Sequence, residues 1–184
     1  MTRIPVLKRD QMEPDQQAVY DRIVGPDGDI GGGPYVGYAY SAEVWRLHDA
    51  ASHHLLECSL TGAQVRIISL MTVRHWKAPY PWGAQAKRAV AAGLDLAIIE
   101  AINEGWTPDF DDALDAAVYE VTGELLATGT LSDAGFKAAE EVLGHKRMVE
   151  IAHTISHFCE TGLMANLIGA KRAPDAPSEP VQLP

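Results

Sequence analysis

Residues 60–93 read LTGAQVRIISLMTVRHWKAPYPWGAQAKRAVAAG. Thr61-Gly62-Ala63-Gln64 has the form of a capping box, in which a hydroxyl and an amide side chain satisfy two of the N–H groups that a helix start leaves open. Val65, Ile67, Ile68, Leu70, Met71 and Val73 follow. They are apolar on nearly every side, the pattern of a helix buried in the middle of other helices. Pro79 and Pro81 break the chain, and a further helix is predicted from about Trp82 to Ala92, with Gly93 as its stop.

Working outward, the same punctuation counts the remaining elements. Upstream, Ser41 caps a predicted helix with Val44, Leu47, Ala51, Leu55 and Cys58 as its inward stripe and Glu43, Arg46 and Asp49 opposite. Before it, Pro14 opens a short helix to about Val24. Gly25 to Tyr40, rich in Gly and Pro, reads as a long loop. Its Tyr35, Tyr38 and Tyr40 either line a pocket or pack onto the core. Its glycines lack the GK[ST] of a phosphate cradle. Downstream, Asp95 caps a helix ending at Gly105, and Asp109 opens one with Leu114, Val118, Val121 and Leu125 on a stripe. Ser132 caps another, with Phe136, Ala139, Val142 and Leu143 inward and Gly144 as its stop, and a last helix runs from about Lys146 to Ile168.

Short connections between these segments predict an all-α, largely antiparallel bundle. Three parts are expected: residues 1–40 as an N-terminal helix and Gly/Tyr-rich loop, 41–170 as the helical domain, and 171–184 as a Pro-rich tail. The tail has no core of its own and is expected to dock on its own or a neighbouring subunit.

The chain has 184 residues, 47% hydrophobic and 22% charged, with 15 Lys and Arg against 25 Asp and Glu. That length buries a real core without disulfide staples. A net charge of −10 repels phosphate backbones and anionic lipid, and no basic run offsets it, so neither nucleic acid nor a membrane is an expected partner. No apolar run suits a bilayer span and the first ten residues lack the apolar segment of a secretory leader, so the expected compartment is the cytoplasm. Cys58 and Cys159 form no CxxC pair, which fits a reducing environment. The near-continuous apolar run from Val65 to Val73 predicts a homo-oligomer, a dimer, trimer or hexamer, with a helical apolar interface.

The segment 60–93 resembles the core of the carboxymuconolactone decarboxylase family, which includes the alkyl hydroperoxidase D-like (AhpD-like) proteins. DDALDAAVYEVTGELLATGTLSDAGFKAAEEVLG and MVEIAHTISHFCETGLMANLIG resemble that family's closing helices, with Asn166 near the end. The resemblance covers roughly residues 34–169 and implies an AhpD-like helical bundle, oligomeric. Peroxidase members carry a Glu, a CxxC and a His four residues beyond the second Cys. Those positions fall here on Arg66, Ala78, Pro81 and Gln85. Without sulfur at Ala78 and Pro81 there is no thiolate and no resolving partner, and Gln85 shuttles no proton. Arg66 turns a proton-holding position into an anion-holding one.

The family's named reaction is loss of CO₂ from a carboxylated unsaturated lactone in aromatic catabolism, with no cofactor. It asks for a cationic cradle, an apolar wall and a proton donor for the enolate-like carbon. The resemblance therefore implies a lyase or isomerase for a small carboxylated organic substrate, and a non-catalytic binding or assembly module is the alternative. His157, Tyr80 and Gln85 are the candidate catalytic residues, with Arg66, His75, Trp82 and His153 as candidate substrate-binding residues. His157 stands where the family commonly has a Tyr. His153 and His157 with Glu160 also form a set chemically suited to zinc or iron, but no HExxH or similar signature accompanies them, so acid–base work is preferred and no metal is assigned.

Overall fold

The computed structural model describes residues 2–25, 27–171 and 177. Among the described residues, eight α-helices follow a 3₁₀ turn at Arg9–Gln11: α1 (Pro14–Ile23), α2 (Tyr35–Tyr38), α3 (Ala42–Glu57), α4 (Gly62–His75), α5 (Pro79–Ala91), α6 (Leu96–Glu104), α7 (Ala113–Thr128) and α8 (Asp133–Ile168). Among the described residues there is no strand, and no helix is long and apolar enough to cross a membrane. The expected docking of the tail lies almost wholly outside the described residues.

Helix α4 is the axis of the bundle, and α5, α6, α7 and α8 all pack against it. Its capping box forms as the sequence prescribes: the Gln64 amide donates to the Thr61 hydroxyl at 3.1 Å, and the Thr61 amide donates to the Gln64 side chain at 3.0 Å. Val65, Ile67, Ile68, Leu70 and Val73 are buried within this one chain. The run therefore needs no second subunit to cover it, and the reason given above for an oligomer is corrected on this point. At its other end, the Asn166 side-chain amide donates to the Trp76 carbonyl at 2.7 Å, tying the end of α8 to the cap of α4.

Inside the stretch 25–40 expected as a loop, Tyr35–Tyr38 form one helical turn, and two helix starts also differ from expectation. Helix α5 begins at Pro79 rather than Trp82, because the first-turn amides that proline lacks have no intrahelical acceptor anyway. Helix α7 is capped by Asp112, whose carboxylate accepts from the Leu114 amide at 2.7 Å, three residues beyond the expected Asp109. At Gly144 the expected stop appears as a kink, with φ 70° and ψ 162°, between two helical runs of α8. A second apolar cluster packs Val19 and Tyr20 of α1, Val36 and Tyr38 of α2 and Trp45 of α3 onto Ala165 and Ile168 of α8. It fixes the loop before α3 against the main bundle and so closes one side of a cavity.

Candidate functional site

A cavity of about 360 Å³ lies between α3, α5 and the second run of α8, with the loop before α2 at its rim. Helix α5 gives it one face by periodicity: Tyr80, Pro81, Ala84, Gln85 and Arg88 all border it. The opposite face of α5, with Trp82, Ala86 and Ala89, enters the main core. Early helix start and 3.6-residue repeat together explain this split. Gly33 makes room at the rim, since a Cβ there would fall 2.5 Å from the Tyr80 ring.

From the centre of α4, Arg66 reaches the cavity floor. Its guanidinium donates to the Gln85 side-chain oxygen and lies 5.9 Å from the centre of the Phe158 ring. Burial, and then the nearby Arg88, push its pKa down to about 10. No carboxylate pairs with Arg66 or Arg88 among the described residues. Nor does any described Asp or Glu border the cavity, although the chain as a whole carries a net charge of −10. A concave surface whose arginines no described carboxylate neutralises, in an acidic protein, attracts a small anion.

On the wall facing α3, three rings stack in a column. Tyr38 lies 4.1 Å from His48, and His48 lies 4.4 Å from His157, centre to centre. His48 and His157 are 5% and 7% exposed. Burial lowers both pKa values; that of His157 falls to about 3, with His48, His153 and Arg66 adding to the effect. Near pH 7 His157 is thus a neutral imidazole with a free lone pair. Its Nε2 stands 3.4 Å from the Ser52 hydroxyl, and its Nδ1 is buried without a hydrogen-bond partner. His48 Nδ1 is 3.4 Å from a Glu160 carboxylate oxygen.

Of the seven residues singled out in the sequence, the structure brings Arg66, Tyr80, Gln85 and His157 to one cavity. Three lie elsewhere. His75 is exposed and meets the edge of Trp76, with ring centres 5.3 Å apart. Trp82 is a core side chain, 1% exposed. His153, one turn before His157, points to His54, with ring centres 5.4 Å apart. Of the three tyrosines, Tyr35 borders the cavity, Tyr38 packs behind it, and Tyr40 is exposed and donates to the Pro5 carbonyl.

Sequence reasoning missed His48, Ser52 and Arg88. The first two were hidden by a misplaced stripe on α3: Val44 and Leu47 are exposed, and Trp45, His48 and Leu55 face inward. Counting only aliphatic residues set the face wrong; counting Trp45 and His48 as buried rings would have corrected it.

No protein-family model matches the chain, and no curated protein sequence matches it. Among solved structures it is similar to an alkylhydroperoxidase AhpD core, an uncharacterized peroxidase-related protein from Ralstonia eutropha JMP134. The TM-score is 0.73 at 18% identity, over 95% of this chain and 93% of that one. The fold is therefore AhpD-like. In this chain neither Cys58 nor Cys159 is disulfide-bonded, and neither borders the cavity.

Proposed function

We propose that the protein is a lyase or isomerase acting on a small carboxylated molecule, of the class of carboxylated lactones and other ring-cleavage products of aromatic catabolism. One observation carries the reading: a concave cavity is bordered by two arginines that no described carboxylate neutralises, by two imidazoles and by no described acidic residue, inside a strongly acidic chain. A pocket kept only as a remnant of packing has no reason to retain the desolvated charge of Arg66.

In this reading Arg66, steadied by Gln85, holds the substrate carboxylate, and Tyr80 and Phe158 form the apolar wall. His157 moves the proton. For isomerisation, its lone pair takes a proton from the carbon beside a carbonyl, the electron pair of that C–H bond passes into an enolate, and the imidazolium returns the proton at a second carbon. For decarboxylation, the C–C pair passes into the enolate as CO₂ leaves, and an imidazolium supplies the proton that completes the product. The bound anion provides that imidazolium, because a carboxylate beside His157 raises its pKa from the depressed value. Arg66 stabilises the enolate oxygen.

The test is a thermal-shift screen of aromatic acids, lactones and dicarboxylates, followed by assays of CO₂ release and isomerisation on those that bind. At least one carboxylate should raise the unfolding temperature and turn over, and His157→Phe should keep the fold while losing about a hundredfold or more of turnover. Binding without turnover would leave a binding module; no binding by any carboxylate would remove the proposal.

A further inference from the structure

We infer that His48, His157 and Glu160 form a binding site for one divalent transition-metal ion of the zinc or cobalt class. One potential ligand atom from each residue lies within 4.8 Å of the others. His157 and Glu160 are three apart on α8 and so share a face, and His48 is brought to them by the packing of α3 on α8. Two imidazoles and a carboxylate are the donor set that such ions take up readily.

Two further observations point to a ligand. The His48 Nδ1 to Glu160 distance of 3.4 Å is long for a charge-assisted hydrogen bond, which closes to about 2.7–2.9 Å. It suits two ligands of one ion, since metal–ligand bonds of about 2.0–2.1 Å in a tetrahedron set neighbouring donor atoms about 3.3–3.4 Å apart. Second, His157 is 7% exposed and its Nδ1 has no partner, an orphaned buried polar atom of the kind that folded proteins rarely leave. Ser52, 3.4 Å from Nε2 of the same ring, is placed to hold the far nitrogen of a metal-bound imidazole. Because the His48 and His157 rings lie face to face, 21° from parallel, their in-plane lone pairs run side by side. Loading the site requires one ring to turn, and both border the cavity. An open coordination position would then face the same space as Arg66.

The inference goes beyond the proton-transfer reading: an ion here takes the lone pair on which that reading depends, so loaded and metal-free protein differ in chemistry. The test titrates chelator-treated full-length protein with Co²⁺, followed by visible absorption and unfolding temperature. One equivalent should bind, with a ligand-field band and a raised unfolding temperature. Glu160→Gln and His48→Gln should each weaken binding about tenfold or more, and His53→Ala, at the exposed His53–Asp49 pair, should not. Glu160 is partly exposed, so its variant should fold as the parent does, checked by far-UV circular dichroism. Absence of the band and of any thermal shift, or binding that survives both variants, would overturn the inference. Arg66→Met separates the two proposals: it should keep Co²⁺ binding and lose carboxylate binding.

Discussion

In the proposed function, Arg66 is a side chain that divides stability from function. Its partly buried guanidinium has Gln85 as its hydrogen-bond partner among the described residues and Arg88 as a like-charged neighbour, so holding the charge there costs folding free energy. Arg66→Met fills similar space without the charge. The unfolding temperature of that variant should equal or exceed that of the parent, while affinity for carboxylates falls about tenfold or more. A variant that is both less stable and equally tight would show that Arg66 serves packing. His157 gives a prediction in pH. Its folded pKa, about 3, lies below the ordinary imidazole value of 6.5, so the unfolded chain binds the proton first as pH falls. Its contribution to stability is whole above pH 6.5 and is lost progressively between pH 6.5 and 3, at about 1.4 kcal/mol per pH unit. In metal-free protein, His157→Phe should flatten the decline of unfolding temperature between pH 7 and 4.5; an unchanged slope would contradict the depressed pKa.

Local signals fixed most of the helices. Thr61, Asp95 and Ser132 each accept a backbone hydrogen bond at their own helix start, and Gly105, Gly129 and Gly169 take left-handed conformations at helix ends. These are effects of one or two residues, so they can be read from the chain. The face that a helix buries is not local. On α3 the second cluster, with Tyr20 and Tyr35 against Trp45, decides that Trp45 and His48 turn inward, and nothing within residues 42–57 states it. On α5 the reverse holds. Once the helix starts at Pro79, the three- and four-residue spacing of Pro81, Gln85 and Arg88 puts them on the cavity, and Trp82 must fall on the core. The candidate site was thus legible where a resemblance pointed at positions on α4, α5 and α8. It was illegible where a partner helix supplied His48. At Gly144, φ 70° with ψ 162° is a backbone region that residues with a Cβ avoid, and no neighbouring atom would meet the added carbon. Gly144→Ala should therefore destabilise by about 1–3 kcal/mol through backbone strain alone, read as a lower denaturation midpoint with unchanged m-value.

At the scale of the whole molecule, the likeness to a solved peroxidase-related protein is one of fold, at 18% identity. The resemblance places the peroxidase cysteines on Ala78 and Pro81; Ala78 is buried, and Pro81 and Gln85 border a cavity that no described cysteine or methionine lines. Hydroperoxide turnover dependent on dithiol should be absent; robust turnover lost in Cys58→Ala or Cys159→Ala would contradict this. The self-association expected from the sequence remains our proposal on different ground. Leu56, Val149, Leu163 and Leu167 are 79%, 69%, 47% and 68% exposed, and we propose that a subunit contact covers some of them. Light scattering at micromolar concentration should then give more than one chain per particle, and a monomer would count against it. We propose that Arg66 is the anchor of an anion site. Isothermal titration of a carboxylate into metal-free parent and Arg66→Met protein tests it most directly. A saturable 1:1 isotherm for the parent that vanishes or weakens about tenfold or more in the variant is the expected result. Equal affinity in the two proteins, or none in the parent, would contradict it.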